Sequence, residues 1–178
     1  MKPSSTFRIV LVALFAALTC VATMFLRIPS PTGGYLNLGD GIALLSEFLL
    51  GPWLGGVAAG LGSMLADLLA GYPAYAAGTL VIKAGAAMLA GLLYRRLPAR
   101  GTGRALPRLL AAAVPAELWM ALGYFLYTML CLAYGPGAAA EIPGNLAQGA
   151  AGVAVAAALT PALQNNREIR EILDHLRR

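Results

Sequence analysis

The residues able to do chemistry in this 178-residue chain are few, and they lie in or beside apolar segments. The ionisable ones are Asp40, Glu47, Asp67, Lys83 and Glu117. Tyr35, Asn37, Tyr72, Tyr75, Thr79, Tyr124, Tyr127, Asn145 and Gln148 add neutral polar groups. Charge inside a membrane segment is costly and marks a functional site by default. Thr79 and Lys83 are four apart, whereas Tyr124 and Tyr127, and Asn145 and Gln148, are three apart, so each pair shares a helix face. Aromatic walls with a few directed polar groups suit a small, flat, partly polar ligand. Lys83 could attract an anionic or carbonyl oxygen, Asn145 and Gln148 could donate and accept at ring heteroatoms, and the tyrosines could stack on a ring face.

Each of these residues also has a plainer role open to it. Lys83 could neutralise Asp67 or Asp40 as a structural pair. Asp40 could cap the helix it begins. Tyr72, Tyr75 and Tyr134 could belong to the aromatic belt at the membrane interface, and Asn145 and Gln148 could only join helices. Asp67, Glu47 and Glu117 could instead form the proton relay of a stand-alone carrier. An enzyme ranks last, because no nucleophile stands beside a base and no metal-spaced His, Cys and carboxylate set is present. No catalytic residue, metal or cofactor is therefore expected. A Walker A sequence is also absent, so any use of ATP would need a partner.

The elements that must hold these residues are membrane helices. Apolar residues make up 59% of the chain and charged residues 12%, with a mean hydropathy of +0.72, against about 25% charged in soluble domains. The apolar residues fall in runs of about 20, the length that crosses a bilayer core of about 30 Å. The pattern predicts an all-α membrane protein of six helices, over about Phe7–Leu26, Asp40–Leu50, Trp53–Ala70, Tyr75–Leu93, Pro107–Ala133 and Pro143–Leu163. The second is too short for a full crossing, so irregular backbone beside it must be buried in protein or line a cavity. The apolar run after Lys2 and Arg8 continues through Leu26 and is expected to be a retained first helix rather than a cleaved signal. Residues 1–163 form the transmembrane domain, and residues 164–178 a cytoplasmic tail with Ile169, Ile172, Leu173 and Leu176 at helical spacing.

The net charge of +5 is better read as topology than as a nucleic-acid surface. With the N-terminus inside, Lys2, Arg8, the five arginines from Arg95 to Arg108, and Arg167, Arg170, Arg177 and Arg178 are cytoplasmic, against Arg27 alone outside; both termini are expected in the cytoplasm. This orientation gathers the polar residues toward the outer half. Small residues form a second pattern: Ala13 with Ala17, Gly51 with Gly55, Gly56 with Gly60, and Ala87 with Gly91. Such spacing permits close helix approach, most simply inside the bundle, and a smooth face turned outward would suggest a partner subunit. Cys20 and Cys131 are expected to pack as small hydrophobes in helices.

The ordered set of motifs resembles a known family. ALFAA at Ala13–Ala17, GGYLNLGD at Gly33–Asp40, GPWLGG at Gly51–Gly56, GSMLADLLAGYP at Gly62–Pro73, TLVIK at Thr79–Lys83 and IPGNLAQ at Ile142–Gln148 are similar to the S component of an energy-coupling-factor (ECF) vitamin transporter, in the riboflavin, pyridoxine and hydroxymethylpyrimidine branch. The resemblance implies capture of a vitamin at the outer face of a prokaryotic cell membrane, docking to a transmembrane T subunit coupled to two ATPase subunits, and toppling to release ligand inside. It assigns the T-subunit contact to Ala13 and Ala17 and ligand contact to Asn37, Thr79, Lys83 and Asn145. With the residues already singled out, the expected ligand set also holds Tyr35, Asp40, Asp67, Tyr75, Tyr124, Tyr127 and Gln148.

Overall fold

The structure, a computed structural model, describes residues 5–98 and 105–177, with side chains described for residues 5–98 and 106–172. Lys2, Arg100, Arg104 and Arg178 of the charge count lie outside the described residues, as do the side chains of Leu173 and Leu176. The chain runs through α1 (Ser5–Phe25), a hairpin of β1 (Ile28–Pro29) and β2 (Tyr35–Leu36), α2 (Gly39–Leu50), α3 (Pro52–Ala70), α4 (Pro73–Arg96), α5 (Ala105–Leu130), a 3₁₀ segment (Gly135–Glu141), α6 (Ile142–Asn165) and α7 (Arg167–Arg177). The antiparallel hairpin pairs Ile28 with Leu36 and Pro29 with Tyr35. The hairpin lies between the first and second expected helices, and the 3₁₀ segment between the fifth and sixth.

Prolines begin three of the helices. Pro52 and Pro73 open α3 and α4, and Pro143 lies in the first turn of α6; a residue without an N–H costs nothing where that N–H would be unpaired. Two prolines also lie within helices, Pro115 in α5 and Pro161 in α6.

Among the described residues, five helical segments are long and apolar enough to cross a membrane: Ser5–Phe25, Pro52–Ala70, Pro73–Arg96, Leu106–Leu130 and Gly135–Asn165. They turn large apolar side chains outward, including Val10, Leu14 and Val21 of α1, Leu65 and Leu69 of α3, and Leu122 and Leu130 of α5. An apolar outer surface is what lipid requires, since tails solvate it as well as a protein interior would. The exception is α2, whose 12 residues span only about 18 Å. Nearly all of it is buried, and it packs on α1, α3, α4 and α6. Its unpaired ends are thereby kept out of lipid.

The core joins α2, α4, α5 and α6 through Leu44, Phe48, Ala90, Leu109, Ala116 and Ala156. Several of the expected small-residue pairs work inside the bundle. Gly55 is the closest case: a side-chain carbon there would lie 2.3 Å from Cα of Glu47, so only glycine lets α3 pack so tightly on α2. Ala13 and Ala17 differ, because both are exposed while Ala16 and Thr19 of the same helix are buried. At the other end, Ile169 of α7 packs against the cluster of Leu45, Leu49 and Leu50, so part of the tail's apolar face is spent on the bundle. Cys131 is exposed, just past the end of α5, rather than packed within it.

Candidate functional site

One end of the bundle holds a polar cleft between the hairpin segment and α3, α4, α5 and α6. Its walls are Ser30, Gly34, Tyr35, Asn37, Asp67, Tyr75, Thr79, Tyr124, Glu141, Asn145 and Gln148. About 390 Å³ of space lies among these groups, partly open to solvent.

The hairpin is held by two ties. Tyr35 donates from its hydroxyl to Asp67 Oδ1 at 2.7 Å, while its ring packs on Tyr72 with centroids 4.7 Å apart. Burial, and then the hydrogen bond and charge of Asp67, push the Tyr35 phenol above its usual pKa, so Tyr35 remains a donor at any ordinary pH. The second tie is the backbone N–H of Asn37, which donates to Gln148 Oε1 at 2.7 Å. The Asn37 side chain accepts from the Gly39 N–H at 2.9 Å, a turn leading into α2, whose N-cap is Leu38 without a side-chain cap bond; Asp40 does not take the capping role open to it in the sequence.

Asp40 lies beneath the cleft instead. Gly152 of α6 permits this, since a side-chain carbon there would be 2.6 Å from Asp40 Cβ. With the two helices this close, Gln148 Nε2 donates to Asp40 Oδ2 at 2.7 Å, and Lys83 pairs with Asp40 Oδ1. Both partners are 3% exposed. Lys83 Nζ also lies 5.4 Å from the Tyr124 ring centroid, within the range of a cation–π contact. Tyr124 in turn donates to Thr79 Oγ1 at 3.0 Å. A chain of polar contacts thus runs from Asn37 through Gln148, Asp40 and Lys83 to Tyr124 and Thr79, joining four helices and the segment that leads into α2.

A second polar knot closes the opposite wall. Glu141 accepts from Ser30 Oγ and Tyr75 Oη, each at 3.3 Å, on one oxygen, and from Thr128 Oγ1 at 3.0 Å on the other. Tyr75 Oη also lies 3.0 Å from the Thr32 carbonyl. With Tyr75 only 9% exposed, its place is the interior and not an interface belt.

Of the residues singled out in the sequence, Tyr35, Asn37, Asp67, Tyr75, Thr79, Tyr124, Asn145 and Gln148 line the cleft, whereas Asp40, Lys83 and Tyr127 do not. Tyr127 donates to the Ala74 carbonyl at 2.8 Å and faces an apolar outer groove with Trp119, Leu126 and Leu130. Ser30, Gly34 and Glu141 line the cleft without having been anticipated. Glu141 follows a Gly/Pro/Ala run that reads as linker, and only its pattern of an acidic residue directly before IPGN could have drawn notice. Deeper in the bundle, Glu47 and Glu117 are buried, with both oxygens of Glu47 and Oε2 of Glu117 unpartnered.

This arrangement has hydrogen-bonding edges and aromatic faces but no nucleophile beside a base, and it sits in a helical bundle with an apolar exterior. It has the form of a binding site in a membrane-embedded helical bundle. Residues 4–165 match the family described as ECF-type riboflavin transporter, S component, and the chain belongs to that family of transporter subunits, which are not enzymes. The chain is 38% identical over 141 residues to a Pyrococcus woesei protein described as an uncharacterized protein in a gap 3' region, covering 78% of this chain and 89% of that one. It also superposes, with a TM-score of 0.68 at 22% identity, on a solved structure described under "Structure and mechanism of the S component of a bacterial ECF transporter", covering 91% of this chain and 98% of that one. At that identity the likeness is one of fold.

Proposed function

We propose that this chain is the high-affinity vitamin-binding subunit of an ATP-driven ECF uptake transporter, with riboflavin the first ligand to test and pyridoxine and hydroxymethylpyrimidine next. The observation that carries the reading is the aromatic and hydrogen-bonding cleft under the hairpin. The substrate-binding set is Tyr35, Asn37, Asp67, Tyr75, Thr79, Tyr124, Asn145 and Gln148, with Asp40 and Lys83 supporting it from below and Tyr127 from the side.

In this reading residues 1–163 cross a prokaryotic cell membrane six times, with α2 as the short central segment, and residues 164–178 and both termini are cytoplasmic. The cleft then opens outward. Arg8, Arg95, Arg96, Arg108, Arg167 and Arg170 fall on the cytoplasmic side, as the distribution of cations in membrane proteins favours. Ala13 and Ala17 dock the T subunit, which links the chain to two ATPase subunits. Their outward, small-residue face supports this, because it admits the close approach of a partner helix.

Uptake into proteoliposomes tests the coupling. With T and ATPase subunits present, labelled riboflavin should accumulate only when ATP is supplied inside the lumen that corresponds to the cytoplasm. The buried, incompletely bonded Glu47 and Glu117, together with Asp67, support a second reading as a stand-alone proton-coupled carrier. That reading wins if this chain alone gives uptake that collapses with the proton gradient.

A further inference from the structure

Lys83 is committed to Asp40 beneath the floor and does not reach the lining. Among the described lining residues there is no Lys, Arg or His, but there are two carboxyls, Asp67 and Glu141. Glu141 is supplied by Ser30, Tyr75 and Thr128. Asp67 is not: Tyr35 occupies Oδ1, Oδ2 has no hydrogen-bond partner, and the residue is only 5% exposed. The Thr79 hydroxyl lies close enough to act on Asp67, yet a carboxylate oxygen has room for two donors. Asn145, 7% exposed, also lines the cleft, and no protein partner takes its amide among the described residues.

Resting on the vitamin-binding reading, we propose that Asp67 Oδ2 and the Asn145 amide form the recognition edge for a ligand's N–H or O–H donors, and that the site takes an uncharged vitamin while excluding its phosphate monoester. A buried oxygen lacking a donor carries a desolvation cost that a ligand donor removes. A phosphate among these described lining residues would meet two buried carboxyls and no cation, and an uncompensated charge beside buried groups is expensive whatever the protonation state of its neighbours. The N-terminus of α6 would otherwise favour an anion, but Glu141 stands at that position. Arg27 acts on Tyr35 from the exposed rim and is not part of the wall.

The test is a set of equilibrium titrations of the detergent-purified full chain with riboflavin, pyridoxine and hydroxymethylpyrimidine, each beside its phosphate monoester. One parent vitamin should bind, with its ester weaker by about 100-fold or more. Asp67→Asn should weaken the parent by about 10- to 100-fold, and Asn145→Ala by about 10-fold, with unchanged elution as a single folded species. An ester that binds as tightly as its parent overturns the inference and leaves the vitamin reading standing, with Arg27 the phosphate contact to examine. Unchanged parent affinity in both variants overturns the recognition edge. If neither form of any of the three vitamins binds, the vitamin reading itself falls, and the inference falls with it.

Discussion

Lys83 of α4 and Asp40 of α2 form a buried ion pair directly beneath the cleft, with Gln148 of α6 donating to the same carboxylate. A pair of this kind is weak as a source of stability but costly to break from one side, by about 3–5 kcal/mol, because the remaining charge is left uncompensated. Lys83→Ala should therefore lower the melting temperature of the detergent-purified protein strongly, and Asp40→Ala in the same chain should recover part of the loss. If Lys83→Ala melts like the parent protein but no longer binds ligand, Lys83 is a ligand contact and not a counter-ion.

The Tyr35 hydroxyl ties the hairpin to α3 through Asp67. Tyr35→Phe removes the tie and keeps the ring contact with Tyr72, so ligand should leave about 10-fold faster with little change in melting temperature. Stopped-flow dissociation measures this directly. The folded pKa of Tyr35 is raised above its unfolded value, so its contribution is fully present below about pH 10 and lost only as pH rises through the higher folded value. Release from the parent protein should accordingly show no Tyr35-linked change between pH 7 and 9.

Close approach of α2 and α3 depends on Gly55, where an added carbon would meet backbone atoms of Glu47 at 2.3 and 2.6 Å. Backbone cannot swing aside as a side chain can. Gly55→Ala should destabilise the bundle by about 1–3 kcal/mol, read as a lower melting temperature, whereas Gly71→Ser, at a turn where nothing lies within 4 Å, should lose only the smaller amount set by its left-handed backbone.

Ala13 and Ala17 face outward on α1. Ala13→Leu or Ala17→Leu should leave stability within about 0.5 kcal/mol of the parent and spare ligand binding, while abolishing ATP-driven uptake in cells that supply the T and ATPase subunits. Retained uptake would remove this face from the partner contact.

Helix periodicity and proline placement made the bundle legible from sequence to within a few residues at most boundaries, including the unusual shortness of α2. The gathering of Asp67, Thr79, Tyr124, Asn145 and Gln148 at one end also followed, because membrane helices fix each residue's depth once their order is known. What could not be read were the lateral partners. Nothing local distinguishes an Asp40 that caps its helix from one that pairs with Lys83, and the choice is made by the close contact of α2 with α6 at Gly152. The hairpin was hidden for a similar reason, since its two strands are two residues each and are held by tertiary bonds from Tyr35 and Asn37. Glu141 was missed because its partners, Ser30, Tyr75 and Thr128, come from three distant parts of the chain.

The most direct test of the vitamin-binding account is to purify the chain from its host in mild detergent, denature it, and identify the released small molecules by mass spectrometry. The account predicts a stoichiometric flavin, pyridine or pyrimidine vitamin, lost from protein in which Asn145 and Asp67 are replaced. Protein that carries none, and that binds none when these vitamins are added back, would contradict it.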